Sequence, residues 1–488
     1  MTRPVISADL GAVAPELIVA VAALLALTVD LFLPAERRRV LLWVSLAGIA
    51  LAFWSAAQMG GASRETFGGM YVRDGLTNFL QMLVLAAAGT SLLLAAGYVR
   101  RTGLESGEFY MLALSAALGA MLMAASRDLV LLFLGLETLS IPLYVMAAIL
   151  RLNPRSQEAG LKYFLLGAFA TAFFLYGIAL IYGATGTTNF VAVAAKVRSA
   201  GLAGDPLLGV GIGFLTIGLG FKAAAVPFHS WAPDVYEGAP LPITAFMAVV
   251  AKIGAFAAFL RVFPLALPDV AGRWSLMLAA VAVLTMILGN AVALLQTNVK
   301  RLLAYSSIAH AGYLLVGIVA AGSAGVWSVL YYLAAYTFMT LGAFGVVLAF
   351  VGPGGREADE LADLQGAARG APWLGAAMAV CMMALAGLPP TGGFIAKLYV
   401  FTAAVESGHL WLVVVGVLTS VVSAYYYLRV AYVMFTGEPR PGTRVVVSPG
   451  TGAGIVIAVA LVMALGVLPA PVTTLAQRVA QQLIAAVK

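Results

Sequence analysis

Charge is what this 488-residue chain has least of: 10% of its residues are Asp, Glu, Lys or Arg, against 62% hydrophobic. A soluble domain carries about 25% charge, so there is too little polar surface here to wrap a water-soluble globule, and the chain reads as an integral membrane protein. Cysteine is nearly absent. The single Cys381 lies in an apolar run, which excludes a disulfide framework or a thiolate metal site within the chain and leaves a small buried hydrophobe as its simplest reading. There is no Gly-rich dinucleotide fingerprint, no cysteine cluster for iron-sulfur and no Walker sequence, so no motif for redox or nucleotide chemistry. Long polar stretches are missing too. The longest, 59–74, 194–206, 352–372 and 437–452, are too short to fold alone, which leaves one membrane domain over 1–488. The formal charge of +7 sits mostly in short loops and reads as an orientation signal, not as nucleic-acid binding.

What is present is apolar runs. At about 20 residues per span, the chain predicts an all-α polytopic protein of about 14 transmembrane helices. The first run, 14–33, is too long for a signal-peptide core and is followed by Glu36-Arg37-Arg38-Arg39, a stop-transfer pattern, so it is expected to stay in the mature protein. An even count puts both termini on one side. Loops after odd-numbered spans hold Arg37 to Arg39, Arg100, Arg101, Arg151, Arg155, Lys300, Arg301, Arg356 and Arg369, which makes that face cytoplasmic and the termini periplasmic. Lys300 and Arg301 are read as topology signals only. After the last span the chain ends within about fifteen residues, with no long extension expected.

A few polar residues sit inside these runs. An ammonium at bilayer depth costs at least about 2.5 kcal/mol, so Lys222, Lys252 and Lys397 must face protein or water. Lys222 precedes Pro227, which strips the carbonyl of Ala223 of its helical partner, and Lys397 follows Pro389-Pro390, which free the carbonyls of Leu385 and Ala386. Such broken spans supply polar backbone at membrane depth, as ion sites require. Glu137 lies mid-span in the fifth run, near Pro142; a carboxyl there is functional by default, its alternative being a neutral acid that ties helices together. Asp128 is placed to cap that helix. His310, flanked by Ser306, Ser307 and Tyr313, is either a proton stepping stone or a helix-helix hydrogen bond. His229, two turns beyond Lys222, shares its face if the helix persists, and its company of Lys222, Asp234 and Glu237 suggests a relay. Lys162 is secondary: with Glu158 it forms an i, i+4 pair, either a surface ion pair or a proton-uptake group.

The broken seventh and twelfth spans lie five apart, suggesting two repeats, helices 4–8 and 9–13, inverted because five is odd. Glu137 then pairs with His310 and Lys222 with Lys397. The chain divides into helices 1–3 (1–103), a first repeat (104–265), a second repeat (266–436) and helix 14 (437–488). Together Glu137, Lys222, Lys252, His310 and Lys397 suit proton translocation. Holding an ammonium neutral near pH 7 takes about 4 kcal/mol, which burial supplies. Driving a proton against about 200 mV takes roughly 4.6 kcal/mol, so something outside the chain must set the switch.

The stretches FLGLETLSIPLYV around Glu137, EAGLKYFLLGAFATAFFLYGIALIYGATGTTNF after it, FKAAAVPFHSWAPDVYEGAP around Lys222, SSIAHAGYLLVG around His310 and AGLPPTGGFIAKLYVF around Lys397 carry a resemblance. Over essentially its full length the chain resembles the antiporter-like subunits of respiratory complex I. Among them it is most similar to the N-type of bacterial NADH:quinone oxidoreductase, the counterpart of mitochondrial NADH dehydrogenase subunit 2. The resemblance implies that Glu137 and Lys222 are the family's glutamate-lysine pair, Lys252 its central lysine, His310 a bridging residue and Lys397 the terminal site. The M-type usually has glutamate in place of Lys397, and the L-type has a long lateral helix that this chain lacks. The resemblance also implies that NADH, FMN, iron-sulfur clusters and quinone belong to partner subunits, with no cofactor or metal here, in a bacterial inner membrane. Two other readings compete: a subunit of a multisubunit sodium/proton antiporter or membrane-bound hydrogenase, and an independent solute transporter, which would be active alone.

Overall fold

The computed structural model describes residues 9–58 and 63–485, so the first four residues of the polar stretch at 59–74 lie outside the described residues. Helices α1 (Ala14–Asp30) and α2 (Arg39–Gln58) are followed by a small hairpin, β1 (Arg64–Thr66) with β2 (Tyr71–Arg73), and by α3 (Gly75–Arg101). Next come α4 (Gly107–Ala125), α5 (Leu129–Ala147) and α6 (Pro154–Thr185). Asp74, Ser106, Asp128 and Asn153 start these four helices, each accepting a hydrogen bond from a first-turn backbone N–H; this satisfies donors that a helix leaves open. The expected capping role of Asp128 is therefore met, and α5 runs on through Pro142.

A ten-residue helix, α7 (Phe190–Ser199), overlaps the stretch 194–206 that had been read as loop. The seventh expected span is α8 (Pro206–Ala223), a turn, and α9 (Trp231–Gly238). Then follow α10 (Leu241–Arg261), α11 (Ala271–Ala293), α12 (Val299–Ala320) and α13 (Gly322–Leu348). Strand β3 (Phe350–Val351) pairs antiparallel with β4 (Arg444–Val445), and between them the twelfth expected span is split into α14 (Pro372–Ala386) and α15 (Gly392–Glu406), with α16 (Leu410–Phe435) after it. The last two helices are α17 (Pro449–Val467) and α18 (Ala470–Ala485).

Among the described residues, 12 helices are long and apolar enough to cross a membrane. The other two expected spans fall on shorter helices, α1 with 17 residues and the α14–α15 pair with 15 each, because the twelfth is interrupted. Length and composition thus support twelve crossings where about fourteen were expected. The all-α class holds; among the described residues, strands form only two short antiparallel pairs. After the last span a short helix, α18, follows, which the sequence reading did not name. It buries Ala476, Val479, Ala480 and Leu483 against the protein, packs on α3 and α13, and turns its other side outward.

Helix α10 is buried along its whole length and α13 from Ser328 to Leu348, so both run through the interior of the bundle. Helix α10 touches α3, α4, α5, α8, α12 and α13, and α12 reaches α9 on one side and α15 on the other, so the two interruptions meet around α12. By contrast α6 buries a stripe through Tyr163, Gly167, Ala170 and Phe174 and leaves Leu161, Leu165, Phe169 and Tyr176 exposed, a face for lipid or a neighbouring chain. One end of the bundle carries a cleft lined by Arg101, Asn153, Glu237, Lys300 and Glu357. At the other end Arg73 donates to the carbonyls of Gly11 and Ala12 (3.5 and 3.0 Å) and shares a cavity with Arg478 of α18, so the two ends of the described chain lie on one face.

Candidate ion-conducting site

Helix α8 stops at Ala223 because Pro227 has no N–H to continue the ladder. Ala224 takes the left-handed conformation (φ 59°), the Val226–Pro227 peptide is cis, and the chain turns before α9. The carbonyl of Ala223, expected to lose its partner, accepts from Lys252 Nζ at 3.5 Å, and the same ammonium donates to the carbonyl of Ser307 at 2.6 Å. Lys222, in the last turn of α8, is buried and points the other way. Its Nζ donates to Ser140 Oγ (2.8 Å) and Tyr163 OH (3.3 Å) and lies 5.8 and 5.3 Å from the ring centroids of Tyr144 and Tyr163, near enough for cation–π attraction. Tyr163 is stacked on Trp231 at 4.4 Å, and Trp231 Nε1 donates to the carbonyl of Phe221, so the turn itself positions the lysine's partners.

Glu137 is half-buried and accepts from Thr171 Oγ1 at 2.8 Å. Among the described residues it forms no ion pair within 4.0 Å, so the glutamate-lysine pair expected from the resemblance is not in direct contact here. Thr171, Ser140 and Lys222 line one crevice of about 10 Å³. A space of that size holds about one water.

His310 sits buried on α12 between the two interruptions. Its Nδ1 lies 2.7 Å from Tyr332 OH and its Nε2 3.1 Å from Tyr427 OH. A neutral imidazole donates from one nitrogen and accepts at the other, and a phenol does either, so each side of the ring can take or give a proton. The serines expected to hold the ring do so at one remove. Ser306 bonds Tyr427, and Ser307 Oγ accepts from Tyr336 OH at 2.9 Å, with the Tyr336 ring 5.3 Å from the imidazole. Tyr313 lies edge-on to His310 at 5.8 Å.

The second interruption repeats the backbone of the first. Gly387 takes a positive φ (83°) three residues before Pro390, as Ala224 does before Pro227, and Pro389–Pro390 is cis. The freed carbonyl of Ala386 accepts from Lys397 Nζ at 2.8 Å, and Ser420 Oγ lies 2.7 Å from the same ammonium. Lys397 Nζ stands 4.9 Å from the Tyr313 ring centroid, and Tyr313 OH is 3.3 Å from Thr419 Oγ1. A side chain at Gly387 would meet Lys397, whose Cδ lies 2.7 Å from the position of a Cβ there. Helix α17 presses on the turn so closely that a Cβ at Gly466 would sit 1.9 Å from the Pro390 carbonyl oxygen.

Lys252 and Tyr336 thus meet at Ser307, one at its carbonyl and one at its hydroxyl, and Tyr313 has His310 on one side and the Lys397 ammonium on another, while Lys222 turns instead to Ser140 and Tyr163. The pairing of Lys222 with Lys397 needs correcting. Lys222 precedes its turn and Lys397 follows its own, so the counterpart of Lys397 as carbonyl cap is Lys252. His229 does not share the face of Lys222, because α8 ends before it; it lies half-buried in the turn. Lys162 bonds Glu158 and Asp234, both at 2.7 Å, in a partly exposed network that Arg301 extends to Asp234 and Glu237.

Several residues escaped the sequence reading. Tyr332, Tyr336 and Tyr427 looked like ordinary apolar positions, although the runs LYYLAAY and AYYYL concentrate hydroxyls at mid-helix. Arg261, the last residue of α10, is buried and paired to both carboxylate oxygens of Asp74 at 2.6 and 2.7 Å. Lys300 and Arg301 do more than mark topology: Lys300 donates to Glu357 at 2.8 Å and to the carbonyl of Ala239 at 2.7 Å. Glu357 also accepts from Tyr98 OH and from the Leu241 N–H that opens α10. Burial alone would raise the Glu357 carboxyl, but the adjacent Lys300 ammonium and these donors hold it below the usual carboxylate range.

Fold and site together define a polytopic helical membrane protein built on two interrupted helices with buried lysines at their breaks. Residues 126–423 match the family described as NADH:quinone oxidoreductase/Mrp antiporter, TM, and the chain belongs to that family. It is 44% identical over 472 residues to NADH-quinone oxidoreductase subunit N of Trichlorobacter lovleyi, covering 96% of each chain. It is 43% identical to the protein of the same name from Moorella thermoacetica, covering 96% of this chain and 98% of that one. Among solved structures it is similar to a chain of respiratory complex I from Thermus thermophilus with bound aureothin (38% identity, TM-score 0.80, 94% and 98% of the two chains). The fold is shared with a chain of the Mrp complex from Dietzia sp. (21% identity, TM-score 0.84, 98% of each).

Proposed function

We propose that this chain is the N-type antiporter-like subunit of a redox-driven, proton-translocating NADH:quinone oxidoreductase, working with the other membrane and peripheral subunits of that complex. The observation that carries the mechanism is the run of buried hydrogen bonds and ring contacts from Lys252 through Ser307 and Tyr336 to His310, and from His310 through Tyr313 to Lys397. In this reading Lys222 is the input group. It sits one residue from the carbonyl that Lys252 caps, and it lines one crevice with Thr171, whose hydroxyl donates to Glu137. Movement of charge at Glu137, driven from a neighbouring subunit, changes how readily Lys222 keeps its proton, and Lys252, His310 and Lys397 pass the change on. NADH, FMN, iron-sulfur clusters and quinone belong to the partner subunits in this reading, and this chain does no redox chemistry. Residues 104–265 and 266–436 act as two inverted units, in a bacterial inner membrane, with the Arg101–Lys300 face cytoplasmic and both termini periplasmic. Lys162 and its ion pairs stand at the cytoplasmic mouth as a proton-collecting group, and His229 is a secondary candidate.

The test is proton pumping by the assembled complex in proteoliposomes. Glu137→Ala or Lys222→Ala is expected to lower both pumping and coupled quinone reduction by about tenfold or more. Wild-type pumping in either variant removes that residue from the path. Activity of this chain alone would point to a solute transporter instead.

A further inference from the structure

At the face opposite the Arg101–Lys300 cleft, α2, α3 and α18 enclose a cavity of about 580 Å³. Its described lining includes three arginines, Arg64, Arg73 and Arg478, and one acid, Asp74. Asp74 contributes little negative charge, because Arg261 binds both of its carboxylate oxygens. Arg73 is buried, yet its hydrogen bonds go to neutral oxygens, those of Asn78 and of the Gly11, Ala12 and Ser55 carbonyls. Arg64 reaches an acid, Asp9, only at 3.8 Å, and Arg478 is exposed on α18 and forms no ion pair among the described residues. Even with Asp9 set against Arg64, the described lining carries more positive than negative charge.

The other part of its wall is apolar: Phe79 and Met82 of α3 and Leu475 and Val479 of α18. From Gly75 to Met82 the wall descends about 10 Å along α3, the depth over which a phospholipid passes from phosphate to the start of its chains. Helix α18 packs its apolar side on α3 and α13 and turns its polar side outward, which leaves Arg478 on the outer rim of the cavity. A soluble anion would satisfy the arginines and leave the apolar wall uncovered; an amphiphile satisfies both.

We propose that this cavity binds the phosphodiester headgroup of an acidic phospholipid, with Arg64, Arg73 and Arg478 around the phosphate and the chains running past Met82 and Leu475. The bound lipid fastens α18 to the α2–α3 end of the protein. It is a site separate from the lysine path and does not depend on the proposed function.

The experiment uses the purified assembled complex, wild-type and Arg64→Gln/Arg478→Gln, equilibrated with mixed micelles of phosphatidylglycerol and phosphatidylcholine and washed. Retained lipids are counted per complex by mass spectrometry. The wild type is expected to keep one more phosphatidylglycerol than the double variant, with phosphatidylcholine unchanged and Arg478→Lys resembling the wild type. Equal phosphatidylglycerol counts overturn the proposal, as does a loss shared equally by phosphatidylcholine. Arginine-dependent retention of radiolabelled inorganic phosphate with no difference in lipid also overturns it, since that marks a free-anion site.

Discussion

The two interruptions, one before α9 and one before α15, use the same backbone and different lysines. In each a left-handed residue stands three positions before a cis proline and the freed carbonyl is capped by an ammonium, Lys252 for Ala223 and Lys397 for Ala386. The cap of the first break comes from a separate helix, α10; the cap of the second comes from the second half of the same broken span. The first break also carries Lys222 in its last helical turn, whereas the corresponding place in the second is Leu385. The shared part therefore builds a carbonyl-lysine element at the interior end of each break. The extra lysine makes the first break two-sided, with one ammonium facing His310 and one facing Ser140 and the half-buried Glu137. A two-sided break is what an input end needs; a one-sided break suits a terminus.

That comparison can be broken most sharply at the caps. Lys252→Ala and Lys397→Ala are expected to lose pumping to a similar extent, about tenfold or more, in proteoliposomes holding the assembled complex. A large loss in one and none in the other would end the equivalence. The next effect is at the left-handed positions. Gly387→Ala adds a methyl 2.7 Å from Lys397 Cδ, so it should cost several-fold in pumping, approaching Lys397→Ala, while assembly is retained. Smaller again is the loss of one phenol on His310. Tyr332→Phe removes its 2.7 Å hydrogen bond to His310, and Tyr427→Phe removes the 3.1 Å one together with the bond to Ser306; a drop of about threefold in turnover is expected of each.

How much of this was legible follows from distance along the chain. Lys222, Lys252, Lys397 and His310 stood out because each is polar in an apolar run, and proline chemistry alone named the carbonyls of Ala223 and Ala386 as open. What filled them was not legible, because the partners are remote: Ser307 lies 55 residues from Lys252 and Tyr427 lies 117 from His310. Tyrosine hides its hydroxyl in an apolar pattern, so the phenols around His310 carried no signal beyond their clustering. His229 and the Lys222–Lys397 pairing failed for one reason: both assumed that a helix continued through the turn. Helix α18 was missed because a short amphipathic segment after a span reads as a polar tail.

Two further changes act on stability. Glu357→Gln should cost about 2 kcal/mol by thermal inactivation in detergent, since it leaves the buried Lys300 unpaired. The Glu357 carboxyl is held low in the folded protein, so its contribution is present above the unfolded value near pH 4.3 and is lost as pH falls through the folded one. The gap between wild type and variant should stay constant from pH 7 to about 5 and close only at lower pH. The smallest effect is Ala224→Gly, which relieves a left-handed alanine (φ 59°) that the second break avoids by using Gly387. A change of at most about 1 kcal/mol, with pumping intact, is expected.

In the proposed mechanism the capping lysines work by releasing and rebinding protons, and not merely by carrying charge. Lys397→Arg separates the two, because a guanidinium keeps the charge and its hydrogen bonds but does not give up its proton. The measurement is protons moved per NADH oxidised by the reconstituted complex. The account expects Lys397→Arg to fall as far as Lys397→Ala; a wild-type ratio in the arginine variant would contradict it.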